Sequence, residues 1–255
     1  MKIGIHMDNI TEQKIIKLKK NGNIIQLFVN NSVQKIKQLL MKYKLKSLVH
    51  ISYTINLSRN WDKYSWWILQ FINEIEFAYL IRSEYVVIHL GKQLELTLEE
   101  AINNMINALI YIHMQTLEYK NVKILIETSS GQGSEIGYNF KELAQIYNKL
   151  KYLNRFNICL DTAHLYVSGY NLNNFDKVMN EFQEYFNLDD IKVVHLNNTK
   201  KELGSKIDRH SNLEDGNINN ISHIAYYFIK MDKWIILETP QKKIYEDLEI
   251  LSEFI

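Results

Sequence analysis

Nine residues of the chain form a candidate set of ligands for divalent metal ions. They are five histidines, two aspartates and two glutamates: His50, His89, Glu127, Asp161, His164, His195, Asp208, His210 and Glu238. Imidazole and carboxylate ligands without a thiolate indicate a site for zinc or manganese that differs from a cysteine-rich structural zinc site. Because bound zinc lowers the pKa of water towards about 7, such a set predicts metal-assisted chemistry.

Six of these nine residues fall at or next to the ends of six consecutive candidate strands. Short β-branched runs predict eight strands, at 2–6, 24–29, 47–52, 85–89, 123–128, 157–161, 191–196 and 234–238. Segments of helical period lie between them, at 11–20, 33–43, 64–81, 98–119, 140–151, 175–185, 221–229 and 244–254. The ligand-type residues recur from the third strand to the eighth.

Repeated strand-helix units predict an α/β fold with a parallel sheet covered by helices. Eight units in 255 residues match a closed (β/α)8 TIM barrel formed by a single domain, residues 1–255. An open doubly wound sheet is the alternative that the pattern alone leaves. In a barrel, the ligand-type residues would share the C-terminal rim of the strands, where a metal centre is expected.

Each ligand-type residue also has a purely structural interpretation. A single histidine at a strand end is commonly an ordinary polar residue, and the Asp-Thr-Ala-His run at 161–164 could be a helix cap. Six consecutive strands make that interpretation of the whole set hard to sustain, because buried carboxylates without partners are costly and the chain has few arginines. His113 and His223 lie in helical segments and are interpreted as structural, whereas His6 lies at a strand end but lacks a supporting motif.

Charge and composition narrow the class of protein. The net charge is +1, but residues 1–60 carry 11 basic and 2 acidic side chains, whereas residues 61–255 carry 19 and 27. The single cysteine, Cys159, excludes an internal disulfide and suits a reducing compartment. No signal peptide or membrane-length apolar run is visible, which predicts an intracellular protein.

Six ordered motifs carry a resemblance to a known family. They are VHISYTINL (49–57), IHLG (88–91), ILIETSSGQG (124–133), CLDTAHLYVSGY (159–170), VHLNNTKKELGSKIDRHSNLEDGNI (194–218) and ILETP (236–240). Together they resemble the endonuclease IV-type apurinic/apyrimidinic (AP) endonucleases along nearly the whole chain. The resemblance implies a TIM barrel with three zinc ions, partly replaceable by manganese.

The resemblance also implies a role for each ligand-type residue. His50, His89 and Glu127 would hold one zinc, and Glu127 would bridge to a second. That second zinc would also take Asp161, His195 and Glu238, and the third would take His164, Asp208 and His210. Glu127 is the implied catalytic residue.

DNA contacts are implied by fewer residues. Tyr53 occupies the position at which the family inserts an aromatic side chain into the duplex, and Lys206 and Arg209 flank Asp208 where phosphates would lie. Gly131 and Gly133 would let the backbone approach a DNA strand closely.

Three departures from the family pattern concern lesion recognition. The loop after the second strand has Asn30, Asn31 and Ser32 where the family has an arginine. Leu90 replaces a proline, and the glycine pair that follows the first strand in the family is absent from residues 7–11.

The implied function is hydrolysis of double-stranded DNA on the 5′ side of an abasic site, leaving a 3′-hydroxyl and a 5′-deoxyribose phosphate. Trimming of blocked 3′ ends by a monomeric enzyme is implied as well. A metal-dependent sugar isomerase or epimerase is the rival enzyme class, although the His164, Asp208 and His210 set exceeds the one or two metals it needs. A catalytically dead DNA-binding barrel is the third interpretation.

Overall fold

The strands close into a complete parallel barrel in the computed structural model, which describes residues 2–29 and 32–254. The order is β1 to β8 in sequence, and β8 pairs with β1 through Ile3 opposite Ile235. The predicted barrel is therefore confirmed, and the open-sheet alternative is wrong. Asn30 and Asn31 lie outside the described residues.

The bounds of the elements follow the predicted alternation closely. The strands are β1 Ile3–His6, β2 Ile24–Leu27, β3 Lys46–His50, β4 Tyr85–Ile88, β5 Lys123–Glu127, β6 Phe156–Asp161, β7 Ile191–His195 and β8 Trp234–Leu237. The helices are α1 Glu12–Asn21, α2 Val33–Tyr43, α3 Trp66–Leu80, α4 Leu98–Gln115, α5 Phe140–Leu150, α6 Thr162–Ser168, α7 Phe175–Gln183, α8 Ile221–Lys230 and α9 Ile244–Ser252.

Two elements differ from the sequence prediction. Helix α6 is absent from that prediction, because seven residues are too few for helical periodicity to show. The segment predicted as one helix at 98–119 instead ends at Gln115 and continues as a short 3₁₀ turn, Leu117–Tyr119. Among the described helices, none is long and apolar enough to span a membrane.

The barrel is filled rather than hollow. A buried cluster occupies its interior, made of Ile24, Leu48, Val87, Leu125, Cys159, Val193, Trp234 and Ile236. A larger buried cluster lies between the strands and the surrounding helices. The packed interior gives the strand ends a rigid base, so side chains at the rim can be held in fixed positions.

The opposite end of the barrel, which we call the floor, is held by a buried arginine. Arg155 precedes β6, is 1% exposed, and donates from Nε to the carbonyl oxygen of Val122 at 3.0 Å. Its Nη1 donates to the Thr116 hydroxyl at 2.7 Å and carbonyl at 3.1 Å, and its Nη2 to the Tyr119 carbonyl at 3.3 Å. The side chain thus satisfies main-chain carbonyls where α4 ends.

Candidate metal centre

The rim of the barrel brings the nine ligand-type residues together. Strands β3, β5, β6 and β7 end at His50, Glu127, Asp161 and His195, respectively. His89 and Glu238 are the residues that follow β4 and β8. His164 comes from α6, whereas Asp208 and His210 come from the long loop after β7. Six of the nine line a cavity of about 400 Å³.

Glu127 lies at the centre of this arrangement and is 1% exposed. Its Oε2 lies 3.3 Å from His50 Nε2 and 3.1 Å from His89 Nε2. Its Oε1 lies 2.9 Å from His195 Nδ1. Burial, the largest influence, would raise its pKa, but His89 and His195 hold the pKa well below the usual range. The carboxylate is therefore anionic and faces two separate sets of imidazoles.

A second set of ligand atoms surrounds His195. Ligand atoms of Glu127, Asp161, His195 and Glu238 lie within 4.8 Å of one another. His195 Nδ1 is 3.2 Å from Glu238 Oε2 and 3.9 Å from Asp161 Oδ2. Burial works to raise the pKa of Glu238, yet His195 outweighs it and lowers that pKa to about 2.

A third set is built from α6 and the loop after β7. Asp161, His164 and His210 offer ligand atoms within 4.8 Å of one another. Asp208 contacts both imidazoles, with Oδ2 3.4 Å from His164 Nε2 and Oδ1 3.4 Å from His210 Nε2. The third set implied by the resemblance is thus adjacent in space, and Asp161 lies between it and the second set.

The helix-cap and ligand interpretations of Asp161 are compatible. Its Oδ1 accepts a hydrogen bond from the His164 main-chain nitrogen at 2.8 Å and so caps α6. Its Oδ2 faces the cluster and accepts from Asn197 Nδ2 at 2.7 Å. One carboxylate therefore both starts the helix that carries His164 and offers an oxygen to the site.

Unpaired buried atoms show that the cluster suits cations. Within the described residues, Glu127 Oε2, His164 Nε2 and His210 Nε2 are buried without a hydrogen-bond partner. His50 Nδ1 lies 2.8 Å from the Ile51 carbonyl oxygen, so a neutral His50 ring must aim its Nε2 lone pair at Glu127. Lone pairs facing a carboxylate repel unless a cation lies between them, so the residues fit divalent metal ions.

The five predicted DNA-contacting residues lie in different surroundings, and Tyr53 is the one that lines the cavity. Tyr53 lies after β3, lines the cavity and is 78% exposed. Gly131 and Gly133 both adopt positive φ, at +78° and +66°. Lys206 Nζ lies 3.9 Å from the centre of the Tyr138 ring.

Arg209 is separated from Lys206 and lines a neighbouring cavity of about 440 Å³. Lys200 and Lys201 line the same cavity, which shares His210 with the first one. Lys206 and Arg209 therefore flank Asp208 in sequence but occupy different surroundings.

Sequence reasoning misses several side chains at the rim. His6, which lacks a supporting motif in the sequence, lines the cavity together with Asp8 and Phe28. Gln26, within β2, is fully buried and contacts His195. Two features of the sequence could have identified these residues: His6 is a histidine at a strand end, and Gln26 is a polar residue inside an apolar strand.

Two further histidines, His113 and His223, lie away from the rim, whereas Cys159 lies close to it. His113 lies at the floor, where Arg155 Nη1 is 3.4 Å from its carbonyl oxygen, and His223 lies 3.7 Å from Asp176 on the outer surface. Cys159 Sγ lies within 4.8 Å of ligand atoms of Glu127 and His195, a proximity that sequence reasoning does not foresee. Burial raises the pKa of its thiol to about 12.

Comparisons with known proteins agree with this architecture. Residues 18–254 match the family described as xylose isomerase-like TIM barrel. A protein from Mycoplasmopsis synoviae named "Probable endonuclease 4" is 38% identical over 211 residues, covering 80% of this chain and 73% of its own length. The "Apurinic-apyrimidinic endonuclease 1" of Plasmodium falciparum is 32% identical, covering 83% of this chain and 36% of its own length.

A solved structure shares the whole fold. Endonuclease IV from Thermus thermophilus superposes with a TM-score of 0.82 at 23% identity, covering 100% of this chain and 98% of that one. The matched barrel and the sequence identity to the curated relative together show that this chain belongs to the endonuclease IV family.

Proposed function

We propose that this protein is a zinc-dependent DNA-repair endonuclease that hydrolyses the phosphodiester on the 5′ side of an abasic site. The products would be a 3′-hydroxyl and a 5′-deoxyribose phosphate. The observation that carries the proposal is Glu127, a buried anion whose two oxygens face separate sets of imidazoles. The family membership and the names of the relatives support the choice of substrate.

The nine ligand-type residues would hold three zinc ions in the three sets described above. Such ions, when bound, lower the pKa of water and stabilise negative charge on the phosphate and leaving oxygens. Glu127 would bridge two of the ions and orient the attacking water. Asp161 and Glu238 would contribute negative charge that balances the ions. The packed barrel interior would hold all the ligands in fixed positions beside the cavity.

The DNA side of the cavity would be formed by the residues that the resemblance implies. Tyr53 projects from the cavity wall and would fill the space beside the lesion. Lys206 and Arg209 would bind phosphates on either side of Asp208, while Gly131 and Gly133 would let the backbone approach the strand. Bound dications would also make the nearly neutral chain cationic at the rim, which favours a polyanionic partner.

The finer features of the activity follow from the same site. We infer that blocked 3′ ends are trimmed in the same cavity, and that manganese can replace part of the zinc. We expect a monomer, because one chain supplies all nine ligands. A substrate of damaged DNA also fits an intracellular location.

The rival enzyme class is disfavoured by a specific part of the site. A sugar isomerase or epimerase needs one or two metals, whereas His164, Asp208 and His210 add a third set of ligand atoms. We therefore retain the endonuclease as the single proposed function.

The test is incision of a duplex that contains one abasic-site analogue. The wild-type protein should cut on the 5′ side of the analogue and leave an end that a polymerase can extend. Glu127→Gln should lose this cleavage, whereas Glu84→Gln, which removes a floor carboxylate paired with Lys46 at 2.8 Å, should keep it. Binding without incision by the wild type would favour the catalytically dead barrel and contradict the proposal.

A further inference from the structure

Gln26 connects two of the proposed metal ligands. Its side chain is fully buried inside the rim, on β2. Its Oε1 lies 2.8 Å from His195 Nε2, and its Nε2 donates to Glu238 Oε1. Its Nε2 also lies 3.1 Å from His6 Nδ1. A neutral amide thus contacts three titratable side chains that belong to three different strands or strand ends.

Only one orientation of the amide satisfies these contacts. If the oxygen and nitrogen of Gln26 were exchanged, its oxygen would face the Glu238 carboxylate, where two acceptors repel. Its nitrogen would then face His195 Nε2. With the amide oriented as observed, both of its N–H groups have acceptors, and its oxygen can only accept a hydrogen bond from His195.

This orientation determines which nitrogen of His195 is available to a metal. Since Nε2 must carry a proton to donate to Gln26, the neutral ring has its lone pair on Nδ1. That atom faces Glu127 Oε1 at 2.9 Å and Glu238 Oε2 at 3.2 Å. The lone pair therefore points to the position at which the surrounding carboxylates would hold a cation.

Two of the other ligand-type histidines are held differently. The Nδ1 atoms of His50 and His164 each lie 2.8 Å from a main-chain carbonyl oxygen, of Ile51 and Thr128 respectively. Those partners are independent of residue type. His195 instead depends on the side chain at position 26, so a single substitution can remove its support.

The geometry points to Gln26 as a positioning residue that fixes His195 as the Nε2–H tautomer, orients Glu238, and thereby builds the central metal site. The inference rests on the proposed metal assignment. Partners that orient a metal-binding histidine commonly contribute about 10- to 100-fold to metal affinity. His6 extends the connection outward, since its Nε2 lies 3.4 Å from Asp8 Oδ1 at the cavity mouth.

The test compares Gln26→Met with Gln26→Glu in the chain of 255 residues. Methionine has a similar length but cannot accept the His195 proton well. Glutamate keeps an oxygen towards His195, while its second oxygen faces Glu238 and must carry a proton to remain there. Zinc affinity is measured by competition with a chromophoric chelator. The His195 ring is observed in the zinc-loaded protein by long-range ¹H–¹⁵N correlation spectra, and thermal unfolding of the metal-free proteins reports folding.

We expect Gln26→Met to bind zinc about 10- to 100-fold more weakly and to lose the protected His195 Nε2–H signal. Gln26→Glu should keep that signal. The inference is overturned if Gln26→Met retains both wild-type affinity and the signal, or if both variants lose the signal equally. Should Gln26→Met fail to fold, loss of the signal in folded, zinc-loaded Gln26→Glu overturns the inference.

The outcomes also separate this inference from the proposed function. If the wild type binds no zinc, the metal assignment itself fails, whatever the variants do. If the wild type binds zinc and incises abasic DNA while Gln26→Met equals it in affinity and spectrum, only the role of Gln26 fails.

Discussion

The two ends of the same eight strands are built on opposite principles. At the floor, the buried Arg155 guanidinium donates to main-chain carbonyls and to the Thr116 hydroxyl. These hydrogen bonds replace the water that the buried positive charge has lost. At the rim, Glu127 and the histidines around it leave buried polar atoms without hydrogen-bond partners among the described residues. The Arg155 guanidinium is satisfied as folded, whereas the cluster at the rim has buried polar atoms that suit cations.

This difference separates residues that stabilise the barrel from residues proposed to take part in catalysis. Burial lowers the pKa of Arg155 to about 10, which still leaves the side chain charged at neutral pH. Its charge is used to fix the end of α4 against β6. At the rim, carboxylates and imidazoles instead converge on one volume. Substitutions at the two ends should therefore have separable effects on folding and on catalysis.

The largest expected effect is on catalysis at the rim. Glu127→Gln should lower the rate of abasic-site incision by at least about 1,000-fold, because the proposed bridging anion is lost. The circular dichroism spectrum should remain native. Incision rates of purified protein on an abasic duplex measure the effect, and a variant with near wild-type activity would contradict the assignment.

The reverse effect is expected at the floor. Arg155→Met should lower the free energy of unfolding by roughly 3 to 5 kcal/mol, since several buried carbonyl oxygens lose their donor. Incision per folded molecule should be unchanged. Urea denaturation combined with activity measured below the transition tests this. A loss of activity without a loss of stability would break the separation between floor and rim.

Zinc binding to the rim should strengthen as pH rises. Burial, the largest influence, lowers the pKa values of His164 and His195. Asp161 and Asp208 outweigh it at His164, and Cys159 and Glu238 outweigh it at His195, so both pKa values lie well above the usual range. The raised pKa values favour protonation of both rings in the metal-free protein, and zinc must displace those protons. Calorimetry in buffers of different ionisation enthalpy should detect this release. Affinity that is independent of pH between 6 and 8 would count against it.

The smallest effect is expected at the cavity mouth. Tyr53→Ala should weaken binding of abasic duplex by roughly 1 to 2 kcal/mol, because the substitution removes an exposed aromatic ring that would stack on bases. Zinc content and unfolding should stay at wild-type values, as the side chain is 78% exposed. Fluorescence anisotropy with the inactive Glu127→Gln background measures binding alone. Equal affinity of both proteins would remove Tyr53 from the DNA interface.

The barrel is predictable from the sequence because its signals are local. Buried parallel strands are continuous apolar runs, so each strand is visible by itself, and each ligand-type residue near its end is visible with it. Helix α6 escapes prediction because it is short and its first turn coincides with the motif that carries Asp161 and His164. Its cap is recognisable, but its length is not.

The support of the site is invisible in sequence because it depends on distant partners. Gln26 and His195 are 169 positions apart, and nothing near Gln26 indicates that its amide meets an imidazole. His6 lacks a motif, although closure of the barrel brings β1 beside β8 and hence near Glu238. Only the closed topology makes these residues neighbours. Which ligands would share one ion likewise depends on the distances between their ligand atoms in the folded chain.

The central claim is that the rim is a metal centre and that this centre cuts abasic DNA. The most direct measurement is incision of an abasic duplex by one preparation before chelation, after removal of metal, and after zinc is restored, with metal content determined at each stage. We expect three zinc ions per chain, no incision by the metal-free protein, and recovery on adding zinc. Undiminished incision by protein shown to contain no metal would contradict the claim.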